Sequence, residues 1–127
     1  MLKVLPIQSK DVQKELCALC NATYFANSFA YRADDEIFIG ICQFDFSNNN
    51  GYINALKYAP SVSDWEAMII MLRAAMNFMF RCGLKYCFFE NDACTDEELL
   101  TKSGFLKDEA GKYYIDLVKF YTGSCHH

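Results

Sequence analysis

The longest periodic pattern of apolar residues in the chain runs from Ser63 to Cys82. At 3.6 residues per turn its polar side chains fall in one narrow stripe, which consists of Glu66, Arg73, Asn77 and Arg81. Apolar residues cover most of the remaining surface, a pattern typical of a helix that is buried on several sides. Ser63 and Glu66 form an S-x-x-E pattern, which predicts a capping box at the start of this helix. Gly83 predicts its end.

Short apolar runs on either side of this helix predict the strands of a sheet. They lie at 3–7, 29–33, 37–46, 52–58, 86–89, 105–107 and 113–118. Asp34 and Asp35 predict a turn between the second and third runs. The stretch from Asn48 to Gly51 predicts a hairpin, because Asn-Gly readily takes positive φ at both turn positions.

Two shorter helices are also predicted from their first residues. Ser9 is expected to cap a helix that runs to about Cys20, with its inner face formed by Val12, Leu16, Leu19 and Cys20. Thr95 and Glu98 form a second capping box, ahead of a short helix that stops at Gly104. Residues 21–28 fit either a short helix or a loop.

The order of these elements predicts an α+β or mixed α/β fold, in which helices cover both faces of a central, mixed and mostly antiparallel sheet. The strand–helix–strand unit from Tyr52 to Phe89 should be parallel and right-handed. A length of 127 residues predicts one domain, 1–127.

Composition narrows the choice of partners. The net charge is -4 and the sequence has no Lys/Arg cluster, which argues against nucleic acid or an anionic membrane surface. The most apolar helix is interrupted by charges, so no membrane span is expected. Lys3 and Pro6 interrupt the N-terminal apolar residues, so no signal peptide is expected. Seven cysteines, an odd number, then favour reduced thiols and a cytoplasmic protein.

The order of elements and the sequence Lys102-Ser103-Gly104-Phe105, which precedes a hairpin, resemble the GNAT superfamily of acyl-CoA N-acyltransferases. Pro60, at the entry to the long helix, is the second point of likeness. The resemblance implies a GNAT-like fold, acetyl-CoA or CoA as cofactor, and a small-molecule or peptide amine as acceptor. It also allows a homodimer. The cofactor-binding residues that it implies are Leu56, Lys57, Tyr58, Ser61, Val62, Ser63, Asp64 and Trp65.

The sequence departs from that family at two places. The phosphate-binding pattern Q/R-x-x-G-x-G/A would fall at 63–68, where there is no glycine and Glu66 replaces the first one. A carboxylate there repels phosphate, and a side chain blocks its approach to the backbone amides. Leu100 stands where the family usually has a general-acid tyrosine. Two functions therefore stay level: an N-acyltransferase with an altered cofactor loop, or a GNAT-fold binding or dimerising module without catalysis. A metal- or thiol-dependent protein organised around the cysteines is a third alternative and ranks below them.

Tyr58 and Glu90 are the candidate catalytic residues, because they lie near the carboxyl ends of the two central strands. The alternative for Glu90 is a solvated carboxylate at a strand end. Cys17, Cys20, Cys125 and His126 include the ligand types of a zinc site. A single C-x-x-C spacing is incomplete, however, so the prediction is that no metal is bound and the cysteines pack as small apolar residues.

Overall fold

The computed structural model describes residues 1–94 and 96–123. Its strands are β1 (Lys3–Pro6), β2 (Phe29–Asp35), β3 (Ile37–Ser47), β4 (Asn50–Tyr58), β5 (Tyr86–Phe89), β6 (Leu106–Lys107) and β7 (Tyr113–Asp116). Its helices are α1 (Lys10–Leu19), α2 (Trp65–Arg81), α3 (Glu97–Lys102) and α4 (Leu117–Thr122). One sheet has the order β1-β2-β3-β4-β5-β7-β6. The β4–β5 pair is parallel and the other pairs are antiparallel, as predicted.

Helix α2 forms the centre of the core, as its apolar pattern predicted. Seven of its side chains are buried, namely those of Ala67, Met68, Met71, Leu72, Ala75, Met76 and Met79. Its cap differs from the prediction. Asp64, and not Ser63, is the N-cap, because its Oδ1 accepts a hydrogen bond from the amide of Ala67 at 3.1 Å. The S-x-x-E pattern was misleading because the next residue is itself a strong cap.

Helix α1 begins at the predicted cap, since Ser9 Oγ accepts a hydrogen bond from Val12 N. Its buried face differs from the prediction. Leu19 is 50% exposed, whereas Gln13 and Cys17 are buried. The polar Gln13 was overlooked because its burial depends on a hydrogen-bond partner on β3. Residues 21–28, left open by the sequence, contain turns and no helix.

The C-terminal elements correct two further expectations. The strand predicted to reach Val118 ends at Asp116, whose Oδ1 accepts from Lys119 N at 3.1 Å and caps the unpredicted helix α4. Asp96 caps α3 through Leu99 N at 3.1 Å. The predicted cap Thr95 lies outside the described residues.

The β3–β4 hairpin is present, but its turn is formed by Asn48 and Asn49, with φ of 52° and 67°. Gly51 lies in β4 instead, where a Cβ atom would come within 2.4 Å of Met79 Sδ. Similarly, β2 extends through the predicted Asp34–Asp35 turn, and Glu36 takes the positive φ. In both cases the tight turn is one or two residues away from the strongest sequence signal.

The helices cover the two faces of the sheet unequally. Helices α2 and α3 and the first residue of α4 share one core cluster with the inward residues of the strands. Helix α1 packs on the other face, through Cys17 and Cys20 against Ile41 of β3. Outward residues of β4, β5 and β7 on that second face, such as Tyr52 and Tyr114, remain partly exposed.

Candidate functional site

Strands β4 and β5 separate halfway along β4, and this separation forms the candidate site. They pair only from Asn50↔Tyr86 to Ile53↔Phe89. The last bond between them runs from Glu90 N to Ile53 O, at 2.9 Å. An extra residue in β4 shifts the register with β3 at this point, and β4 then continues alone to Tyr58. A cleft of this kind exposes backbone groups of β4 to a ligand.

In this molecule the chain itself fills much of the cleft. After β5 the chain turns back, and Ala93 O accepts a hydrogen bond from Leu56 N at 2.8 Å. Ala93 is completely buried. A cavity of about 120 Å³ remains, lined by Leu56, Lys57, Tyr58, Met68, Cys94, Asp96 and Leu99. The amide of Leu56, on the part of β4 beyond the strand separation, is therefore already hydrogen-bonded within the chain.

Three of the predicted cofactor-binding residues, Leu56, Lys57 and Tyr58, line this small cavity. The remaining five lie just before α2 or at its start. Val62 packs against the core, whereas Ser61 and Ser63 are exposed. Asp64 caps the helix, and the ring centroid of Trp65 lies 5.2 Å from Lys102 Nζ.

Tyr58 is surrounded by acidic groups. Burial raises the pKa of its phenol, the carboxylates of Asp96 and Asp64 raise it further, and hydrogen bonds from Asp64 and Ser63 partly oppose them. A phenol with a raised pKa keeps its proton at neutral pH, so Tyr58 suits proton donation rather than proton abstraction. The same carboxylates disfavour an anion at this end of the cleft.

A larger cavity of about 350 Å³ lies on the other side of the separated strands. It is lined by Asn21, Ala22, Thr23, Phe25, Asp45, Asn54, Lys57, Glu90, Asn91 and Asp92. Its lining thus includes three residues with a carboxylate, Asp45, Glu90 and Asp92, and one lysine, Lys57. Burial and repulsion from Glu90 raise the pKa of Asp45, while a hydrogen bond from Ser28 lowers it. A carboxylate that is costly to ionise in this way is stabilised by a bound cation.

A buried polar network fixes the wall of this larger cavity. Gln43 is fully buried, and its amide nitrogen donates to Thr23 O and to Asn54 Oδ1, both at 2.8 Å. Its oxygen accepts from Gln13 Nε2 at 2.9 Å and from Phe25 N at 3.3 Å. The loop 21–28 is therefore held against β3 and β4 by hydrogen bonds rather than by an apolar contact alone.

Sequence reasoning missed this network. Gln43 interrupts an otherwise apolar run of β3, and a polar residue at such a position was the one signal available for a buried hydrogen-bonded group. Gln13 gave a similar signal on the inner face of α1. Neither residue resembled a catalytic or ligand-binding pattern.

Glu90 lies on the border between the larger cavity and a third one of about 360 Å³. It is 46% exposed and forms an ion pair with Lys112, with 3.2 Å between Nζ and Oε1. The structure does not bring the two predicted catalytic residues together, because Tyr58 lines the small cavity and Glu90 the larger ones. Leu100 is buried and lines the third cavity, without a hydroxyl group to donate.

Two cysteines of the metal hypothesis, Cys17 and Cys20, are inside the fold. Cys17 and Cys20 are buried beside each other, and Cys17 Sγ lies 3.4 Å from Gln43 Oε1. Burial raises the pKa of both thiols, that of Cys20 to about 11, so they are protonated at neutral pH. Cys125 and His126 lie outside the described residues. Among the described residues no group of three or more His, Cys, Asp or Glu side chains could hold a metal ion.

The separated parallel strands, the crossover helix and the strand order together define the fold of the GNAT acetyltransferases, as comparison with solved structures shows. One neighbour is the IAA acetyltransferase from Bacillus cereus, with a TM-score of 0.69 and 17% identity, covering 86% of this chain and 79% of that chain. A spermidine N-acetyltransferase from Vibrio cholerae, described as dodecameric, has a TM-score of 0.72 and 12% identity, covering 97% of this chain and 98% of that chain. The PaiA N-acetyltransferase from Thermoplasma acidophilum, in complex with coenzyme A, has a TM-score of 0.68 and 11% identity, covering 90% of this chain and 96% of that chain.

At these identities the likeness concerns the fold, and it confirms the predicted fold class. No protein-family model and no curated protein matches the sequence. Among the described residues, no helix combines the length and the apolar character needed to cross a membrane.

In this conformation, contacts within the chain occupy part of the cofactor half of the cleft. Leu56 N is bonded to Ala93 O, and the amide of Ala67 at the start of α2 is bonded to Asp64. A phosphate at a helix start needs such amides. The remaining 120 Å³ is smaller than the pockets that enclose drug-sized ligands, roughly 300–1,000 Å³. Glu66, the predicted obstacle, is exposed in the first turn of α2, and the cap predicted for it is formed by Asp64 instead.

Proposed function

We propose that this chain is an acetyltransferase-like protein of the GNAT fold that binds an amine-bearing ligand in its larger cavity and does not use coenzyme A in the conformation described. The observation that supports the proposal best is the cavity of about 350 Å³, whose lining includes Asp45, Glu90 and Asp92 but only one lysine, Lys57. An ammonium group offers what these carboxylates lack, a charge of opposite sign with several N–H donors. The predicted cytoplasmic location and homodimer remain predictions.

A ligand in this cavity would meet a wall that is already ordered. Ser28 lies between the buried network and the acidic side, since its Oγ accepts from Asn54 Nδ2 at 3.1 Å and its side chain lowers the pKa of Asp45. A wall that is already ordered loses little conformational entropy on binding, which favours affinity.

Titration calorimetry with n-butylammonium chloride tests the amine site. Asp45→Asn keeps the shape of the side chain and removes its charge, so affinity should fall about tenfold or more, as for the loss of a charge-assisted hydrogen bond. Asp11→Asn is the matched control, because Asp11 is exposed in the first turn of α1 and the change in net charge is the same. Equal affinities in the parent and Asp45→Asn would contradict the proposed site.

A second candidate is an acetyl-CoA-dependent N-acyltransferase, which the separation of β4 and β5 beyond Ile53 favours. For this function the loop from Glu90 to Cys94 would have to withdraw from Leu56. Our proposal expects no calorimetric binding of acetyl-CoA at concentrations up to about 1 mM, which corresponds to about -4 kcal/mol. Tight binding together with acetyl transfer to butylamine would favour the second candidate.

Asp64→Gly tests which contact within the chain blocks coenzyme A from the cofactor half of the cleft. Because Asp64 caps α2, this substitution frees the amide of Ala67 and removes one carboxylate beside Tyr58. If the N-terminus of α2 is the main obstacle, Asp64→Gly should gain affinity for coenzyme A while Glu66→Gly does not. If the loop bond at Leu56 is the main obstacle, neither variant should gain.

A further inference from the structure

Lys112 reaches from the β6–β7 hairpin across the open face of the sheet. Its Nζ lies 3.2 Å from Glu90 Oε1 and 5.9 Å from the ring centroids of both Tyr52 and Phe88. The backbone of Lys112 is fixed by Asp108, because Lys112 N donates to Asp108 Oδ1 at 2.8 Å and Lys112 O accepts from Asp108 N at 2.9 Å. The hairpin therefore holds the start of this side chain in place, and the ammonium group reaches Glu90.

The rings of Tyr52 and Phe88 stack on each other beside Glu90. Tyr52 and Phe88 are opposite each other in the β4–β5 register, and their rings stack with centroids 5.4 Å apart and an interplanar angle of 20°. Asp45, which lines the larger cavity, is opposite Tyr52 in the β3–β4 register. The rings are thus continuous with the acidic cavity, on the part of the sheet face that α1 leaves open.

A carboxylate next to two aromatic faces is a favourable position for an alkylammonium ion, through an ion pair and cation–π attraction. In the structure Lys112 takes this position. We infer that Lys112 is an intramolecular competitor of the ligand amine, and that Glu90, Tyr52 and Phe88 form an alkylammonium subsite that becomes available when Lys112 moves away. This inference rests on the proposed amine-binding function and adds the residue that controls access to it.

Competition of this kind lowers affinity in proportion to the time that the subsite is occupied. If Lys112 is in place for about 70–90% of the time, the apparent affinity for an amine falls about three- to tenfold. Occupancies in this range are those expected of a partly exposed ion pair with a weak cation–π contribution. Lys112 and Glu90 are 36% and 46% exposed, so their contact can open without unfolding the protein.

Titration of n-butylammonium chloride into the parent, Lys112→Gln and Lys119→Gln tests the inference. Lys119 is exposed on α4 and provides the control for the change in net charge. Lys112→Gln should bind three to ten times more tightly than Lys119→Gln. Adding Phe88→Leu to Lys112→Gln should lose about two- to fivefold of that affinity, because the ligand then lacks a ring face.

Equal affinities in the two lysine variants would overturn the inference, and so would weaker binding by Lys112→Gln. If the parent binds the amine and Asp45→Asn weakens that binding, such a result refutes the role of Lys112 alone. If neither the parent nor any variant binds the amine, the proposed function fails and the inference fails with it.

Discussion

The buried amide network at Gln43 leads to the sharpest prediction for stability. Gln43→Leu removes the acceptor for Gln13 Nε2 and Phe25 N and the donor for Thr23 O and Asn54 Oδ1. A buried polar group left without its partner costs about 1–3 kcal/mol. Asn54 Nδ2 keeps its hydrogen bond to Ser28 Oγ, and Gln13 Nε2 keeps its hydrogen bond to Ser28 O. Burial of the apolar leucine side chain contributes about 1–2 kcal/mol in the opposite direction. Phe25 N and Thr23 O are both left without their partner, which together costs about 2–6 kcal/mol. After the apolar gain, the net loss in the free energy of unfolding should be about 1–4 kcal/mol.

Urea unfolding followed by far-UV circular dichroism measures this difference. Gln8→Leu is the matched control, because Gln8 is exposed and undergoes the same substitution. The double variant Gln13→Leu/Gln43→Leu should cost at least about 1 kcal/mol less than the sum of the single variants, since the two amides contact each other. If Gln43→Leu were within about 0.5 kcal/mol of Gln8→Leu, the network would not hold the loop, and the reasoning would be refuted.

Three further outcomes are expected in the same unfolding assay. Leu72→Ala should cost about 2–5 kcal/mol because Leu72 is fully buried. Phe78→Ala should cost less because Phe78 is half-buried. A Leu72→Ala variant within about 0.5 kcal/mol of the parent would contradict a buried α2. Gly51→Ala should cost about 1–3 kcal/mol, because the added Cβ clashes with Met79. The double variant Gly51→Ala/Met79→Ala should cost less than the sum of the two single variants. Strictly additive costs would show that the two residues do not meet. Because burial raises the pKa of Asp45 above 3.8, the folded state keeps this proton to higher pH than the unfolded state, and stability falls as pH rises through that range. Asp45→Asn should therefore stabilise the protein at pH 7 and have no such effect below pH 3.8, and a benefit of the same size at both pH values would show that charge is not the cause.

The sequence predicted those features of the fold that depend on local patterns. The predicted helix 63–82 corresponds to Trp65–Arg81, and the strands on either side lie within a few residues of their predicted ranges. Helix α4 was missed because its six residues are too few to show a helical period, and its apolar residues continued the alternation of β7. Caps were misplaced by one residue where two cap-forming residues are adjacent, as with Ser63 and Asp64.

The candidate site was less predictable because its decisive contacts join distant parts of the chain. Glu90 was correctly expected near the end of β5, but nothing local indicated that Lys112 pairs with it. The bond between Leu56 N and Ala93 O joins two backbone groups, so no side chain in the sequence reports it. The missing glycines in 63–68 predicted an altered cofactor loop, which stays a prediction, and the residue that caps α2 could be identified only from the geometry of the helix.

The position of the β3–β4 turn also affects how easily Asn50 deamidates. Asn50-Gly51 is the kind of sequence in which the glycine amide most easily attacks the asparagine side chain and converts it to a succinimide. Here the turn is at Asn48 and Asn49, so Asn50 and Gly51 are in β4, paired with β3 on one side and β5 on the other. Extended backbone held on both sides keeps that amide away from the side-chain carbonyl. Deamidation at Asn50 should therefore proceed only in molecules whose central strands have opened, and its slow accumulation would record how often this part of the sheet unfolds.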